Sequence, residues 1–151
     1  MNMKSFMEAA LEEAKKAKKK GEVPIGAVIV KDGKMIAKGH NQREKKQNAL
    51  LHAEIVAINK ACKKLHSWRL DDAEIYVTLE PCPMCAGAIA NARLSKMIYG
   101  AKDKTSQDEL CGKILSSIRL NHKCEMVQAE EFENECSQIL TDFFKAKRSQ
   151  N

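Results

Sequence analysis

No apolar run in this 151-residue chain approaches the ~20 residues that a membrane-spanning helix needs. The longest near the N-terminus is the short stretch 25–30. The first residues mix Lys4, Glu8, Glu12 and Glu13 with apolar positions, which is not the pattern of a secretory leader. Internal repeats, low-complexity linkers and composition breaks are also missing, so residues 1–151 read as one domain around one core. These absences make the cytoplasm the expected compartment. Six cysteines without a secretory signal then read as reduced thiols or metal ligands rather than as a disulfide framework.

What is present is a regular alternation of helical and extended patterns. Met3, Phe6, Met7, Ala10, Leu11 and Ala14 follow helical spacing, so a helix is expected over 3–20, ending near Gly21. Residues 25–30 read as a strand buried on both faces, and Asp32-Gly33 as a hairpin turn into an antiparallel strand over 34–39. Residues 41–51 read as a loop and 52–65 as a helix. A strand through Ile75, Val77 and Leu79 and a helix over 82–93 follow. A strand over 96–99, a helix over 110–118, a strand over 124–127 and a closing helix through Phe132, Cys136, Ile139 and Phe143 complete the order. The segment before the last strand is long enough for a crossover, so the last two strands should be parallel. The fold class expected is α/β, a three-layer α/β/α sandwich with a five-stranded mixed sheet.

The chemistry is concentrated in His52-Ala53-Glu54 and Pro81-Cys82-Pro83-Met84-Cys85. One imidazole and two thiolates suit Zn²⁺, and a catalytic zinc site uses three protein ligands and leaves a fourth position to water. Cys82 and Cys85 stand three apart at a helix start, on one face, where the positive end of the helix favours thiolate. Glu54 is placed beside the water as the acid/base group. The competing reading is a closed structural site, with Cys62, Cys111, Cys124, His40 or His122 as fourth ligand. The order His-x-Glu, then Pro-Cys-x-x-Cys, resembles the signature of zinc-dependent nucleobase deaminases.

The chain is similar to the cytidine deaminase-like superfamily, and most closely to the bacterial tRNA-specific adenosine deaminases. The resemblance runs through Glu22-Val23-Pro24-Ile25-Gly26-Ala27-Val28, Tyr76-Val77-Thr78-Leu79-Glu80-Pro81-Cys82 and Met84-Cys85-Ala86-Gly87-Ala88. It continues through Tyr99-Gly100-Ala101-Lys102-Asp103, Asn121-His122 and Asp142-Phe143-Phe144 with Arg148. It implies conversion of adenosine to inosine at the wobble position of a tRNA anticodon by a homodimer. It implies one zinc per subunit on His52, Cys82 and Cys85, with Glu54 moving protons. It further implies that Asn41 binds the target nucleotide and Asp103 its neighbours. Asn41 read alone is a loop residue tolerant of a left-handed backbone, and Asp103 a helix cap.

Two stretches depart from the family. Asn48-Ala49-Leu50-Leu51 stands where Asp-Pro-Thr-Ala is usual, which promises a drier pocket wall. Gln107-Asp108-Glu109 adds negative charge after Lys104-Thr105-Ser106, in place of a turn rich in small residues. A deaminase of a free base or nucleoside is therefore the alternative, and a non-catalytic zinc-stabilised RNA-binding module a third reading. The net charge of +6, with Lys15, Lys16, Lys18, Lys19 and Lys20 in one run and Lys145, Lys147 and Arg148 in another, is compatible with RNA and equally with solvated helix faces.

Overall fold

A computed structural model describes residues 2–105, 109–117 and 122–150. Helix α1 (Met3–Lys19) begins where Asn2 Oδ1 accepts the Ser5 N–H at 3.1 Å. Its apolar stripe, including Phe6, Met7, Ala10 and Leu11, is buried, and its last turn carries Lys16, Lys18 and Lys19, the sign that the helix dipole favours. Strands β1 (Gly26–Lys31) and β2 (Lys34–His40) form the expected hairpin. Asp32 and Gly33 both take positive φ, 52° and 74°, as a two-residue turn matched to the strand twist requires.

Helix α2 (Arg43–Lys46) follows, then α3 (Ala53–Leu65), β3 (Ala73–Leu79), α4 (Pro83–Asn91) and β4 (Lys96–Ala101). Helix α5 (Leu110–Leu115), β5 (Glu125–Gln128), a 3₁₀ turn (Glu130–Phe132) and α6 (Glu133–Ser149) end the chain. The expected helix at 110–118 is seen as far as Leu115; Ile118 lies outside the described residues, as does Asn121. The loop expected over 41–51 contains the four-residue helix α2. Apolar periodicity could not announce it, because none of its residues is buried.

The sheet has five strands in the order β2-β1-β3-β4-β5. β1 pairs antiparallel with both β2 and β3, while β3–β4 and β4–β5 are parallel. Helix α4 makes the crossover between β3 and β4. One apolar layer joins Ile29, Ile75, Val77 and Met97 to Ala57 and Ala61 of α3 and to Ile89 of α4. The other joins Val28, Val30, Tyr76 and Ile98 to α1 and to Cys136 of α6. β1 is thus buried on both faces.

The register brings one set of strand ends together. Gly26 faces His40, Ala27 faces Val77, and Leu79 faces Ala101. The end of β2, the start of β1 and the ends of β3 and β4 therefore share one edge of the sheet. In open α/β sheets, ligands bind outside the carboxyl ends of the parallel strands. Gly39 brings α3 close to this edge: a Cβ there would lie 2.7 Å from both the Ala53 carbonyl oxygen and the Ala57 nitrogen.

Candidate metal centre and active site

Two helix starts meet at that edge. His52 is the N-cap of α3 (φ −70°, ψ 160°) and Cys82 the N-cap of α4 (φ −70°, ψ 170°). Neither side chain caps its own helix, so both are available elsewhere. Pro83 supplies a ready-made first helical residue, which starts α4 immediately after Cys82. Cys85, one turn on, is fully buried. His52 Nδ1 lies 3.6 Å from Cys82 Sγ and 3.6 Å from Cys85 Sγ. The three donor atoms lie within 4.8 Å of one another, a group that could hold a metal ion.

Among the described residues only these three converge in this way. His122 Nε2 is 2.7 Å from the Leu94 carbonyl, and His40 is engaged by Glu13 (3.1 Å) and Lys20 (3.3 Å). Cys111, Cys124 and Cys136 are buried free thiols, each pushed up to about 12 by burial. Cys62 is half-buried, and burial raises its thiol too.

The electrostatics of the trio are those of shared protons. The Cys82 thiol is drawn down to about 4, first by its hydrogen bond from Cys85, with His52 adding to the effect. Cys85, on the donor side, is held well above the ordinary thiol range by that same bond and by burial. The hydrogen bond to Cys82 raises His52. Glu54, in the first turn of α3, is 4% exposed. Burial pushes its carboxyl up to about 7, with a further rise from Cys82 and an opposing pull from His52. A buried carboxyl raised toward neutrality, next to a trio that could hold a metal ion, is equipped for proton transfer.

A family model described as MafB19-like deaminase matches residues 1–148. The tRNA-specific adenosine deaminase of Bacillus subtilis (strain 168) is 48% identical over 95% of this chain and 89% of its own. The chain belongs to the tRNA-specific adenosine deaminase family. A structure solved in a study of A-to-I editing by tRNA:A34 deaminases at the wobble position shares 41% identity with this deaminase. It has a TM-score of 0.84, over 91% of this chain and 99% of that one. A guanine deaminase from Bacillus subtilis is 44% identical, but over 68% of this chain and 66% of its own, with a TM-score of 0.65.

Asn41 and Asp103 of this deaminase flank the trio's edge from opposite sides, beyond β2 and beyond β4. Asn41 is 5% exposed, and its Oδ1 accepts the Arg43 N–H at 3.2 Å. Asp103 Oδ1 accepts from the Thr105 N–H (2.9 Å) and hydroxyl (2.6 Å), so it caps a turn rather than a helix. Its own N–H donates to Glu80 Oε1 at 3.0 Å. Asp103 also lines a cleft of about 440 Å³ with Glu80, Tyr99, Glu109 and Met126. None of the trio lines that cleft.

In the first departure from the family, Asn48 Oδ1 accepts the Leu50 N–H at 2.9 Å and forms the turn locally. Leu50 is 57% exposed and Leu51 half-buried, so the wall before His52 is only partly the dry one expected. Of the second, Glu109 lines the cleft, while Ser106, Gln107 and Asp108 lie outside the described residues. Sequence reasoning assigned no role to Glu22. Its only signals were its place at the head of the stretch 22–28 that resembles the family and a carboxylate shortly before the apolar first strand. No described helix is long and apolar enough to cross a membrane.

Proposed function

We propose that this deaminase converts adenosine to inosine at the wobble position of a tRNA, with one zinc ion held by His52, Cys82 and Cys85. The carrying observation is the 3.6 Å separation of His52 Nδ1 from both sulfurs beside the buried Glu54. A tetrahedral zinc, at ~2.3 Å from sulfur and ~2.05 Å from nitrogen, sets those atoms ~3.6 Å apart, so the donors fit it. When bound there, zinc supplies Lewis acidity and brings the pKa of a water down toward neutrality.

The rest of the chemistry belongs to the chain. The net reaction takes adenosine and water to inosine and ammonia. Glu54 takes a proton from the attacking water and delivers it to the ring nitrogen beside the attacked carbon. It then takes the remaining proton from the newly added hydroxyl and passes it to the departing amine, so that the C–N bond breaks as the carbonyl forms and ammonia leaves. Burial raises this carboxyl above the ordinary carboxylate range in the metal-free chain, which supports a role in both accepting and releasing a proton. Asn41 holds the extruded target nucleotide, and Asp103 contacts its neighbours.

Exposed basic side chains follow the strand ends at this edge, Arg43 and Lys46 after β2 and Lys102 and Lys104 after β4, and the exposed Lys20 has its Nζ 3.3 Å from His40 Nε2 at the end of β2. That distribution supports a polyanionic substrate more than a small neutral one. In this reading residues 1–151 form one catalytic domain, which works as a cytoplasmic homodimer, as the family likeness supports.

The test is direct. Zinc-loaded protein is incubated with an anticodon stem-loop carrying adenosine at the wobble position, and in parallel with guanine, cytosine, adenosine and cytidine. Inosine in the RNA with no ammonia from the small molecules is expected. Ammonia from a free base or nucleoside, with intact RNA, would replace this reading with the small-molecule one.

A further inference from the structure

We infer that Glu22 is a positioning residue: its buried carboxylate latches the loop between Asn41 and His52 and thereby sets the mouth of the active site. The inference rests on the proposed RNA reaction. Glu22 is 1% exposed, and both its oxygens are used by main-chain donors across the loop. Oε1 accepts the Glu44 N–H at 3.0 Å and Oε2 the Lys45 N–H at 2.7 Å.

The loop has little else to hold it. All of α2 is exposed, so no apolar side chain anchors it. Its base is tied by the Gln42 N–H donating to the Leu51 carbonyl at 2.9 Å. Inside it, the Arg43 N–H goes to Asn41 Oδ1 and the Lys46 N–H to the Gln42 carbonyl. The Gln47 N–H goes to the Glu44 carbonyl, and Gln47 itself turns left-handed at φ 50°. Those contacts fold the loop on itself. The Glu22 carboxylate comes from outside it, on the α1–β1 connection, and joins it to the scaffold.

The consequence is functional because the loop's two exits are the proposed nucleotide-binding Asn41 and the metal-binding His52. His52 is also held by α3, which packs against the sheet through Ala57 and Ala61. Asn41 is tied to the scaffold by its N–H, which donates to the Ile25 carbonyl at 3.3 Å, but its side chain is held by the loop's Arg43 N–H, and the exposed Leu50 is carried by the loop. Loosening the latch should therefore weaken nucleotide holding while sparing the metal and Glu54.

Two N–H groups on two oxygens require a carboxylate. In Glu22→Gln one oxygen becomes an NH₂ that faces an N–H, with almost no change in volume. For zinc-loaded Glu22→Gln we expect KM for the stem-loop to rise about tenfold, with kcat within about threefold of the parent. Amide exchange over residues 43–48 should quicken by about tenfold or more, while α3, α4 and zinc stoichiometry stay unchanged. Unchanged exchange in 43–48 would overturn the latch. Quickened exchange with unchanged KM, or a fall in kcat at constant KM, would overturn its positioning role. Should the variant not fold, the parent decides, because its Glu44 and Lys45 amides must be protected and free exchange there refutes the latch. A parent inactive on RNA defeats the proposed reaction, while the exchange measurements still judge Glu22.

Discussion

Glu54→Gln separates what this carboxyl costs the fold from what it contributes to the chemistry. The substitution keeps the shape and removes the charge. In the metal-free protein, burial raises the Glu54 carboxyl from its ordinary 4.5 to about 7. That displacement is worth about 3 kcal/mol. The sign follows from proton counting. Between pH 4.5 and about 7 the unfolded chain has released this proton and the native chain still holds it, so native stability declines as pH rises through that window. Gln has no proton to lose. The metal-free variant should therefore match its parent near pH 4.5 and exceed it by about 3 kcal/mol at pH 8. Urea unfolding of chelator-treated, reduced protein at several pH values reads this difference. The zinc-loaded variant should retain its metal and lose turnover by about 10²–10⁴-fold, or about 3–5.5 kcal/mol of barrier. A stability difference that is flat with pH would refute the account of burial. Turnover within tenfold of the parent would refute the proton-transfer role.

Gly39→Ala should cost about 1–3 kcal/mol, because its Cβ would meet two backbone atoms of α3 at 2.7 Å. Calorimetry should show a lower Tm together with weaker zinc retention, and an unchanged Tm would contradict the close packing. Cys85→Ser should abolish stoichiometric zinc by elemental analysis, whereas Cys62→Ser, at a half-buried free thiol, should leave metal content alone and shift stability by no more than about 0.5 kcal/mol. Stem-loop affinity should fall steeply with salt, and Lys102→Ala or Lys104→Ala should each flatten the log–log slope by about one. A flat salt response in the parent would remove these lysines from the interface.

Much of the site was legible because its signals are local. A short spacing places Cys82 and Cys85 on one helical turn, and Pro83 marks where that turn begins. The hairpin was written in Asp32-Gly33, since few residue pairs accept two successive positive φ angles. Helix α2 was not legible, because its support comes from elsewhere. Its first-turn N–H groups are taken by Asn41 and by Glu22, the latter more than twenty residues away, and no apolar rhythm betrays it. The partners of Glu22 and His40 were hidden for the same reason: a carboxylate or imidazole in a sequence carries no mark of the group it will meet.

The chain's order of helices and strands and its one ligand-rich motif follow from residue types and spacings alone. These depend on steric and hydrogen-bonding rules acting over a few residues. The strand order β2-β1-β3-β4-β5, the meeting of His52 with two sulfurs thirty residues away, and the burial that lifts Glu54 toward neutrality were decided only by tertiary packing. Each is set by which distant surfaces exclude water from one another, and no short window of sequence contains both surfaces.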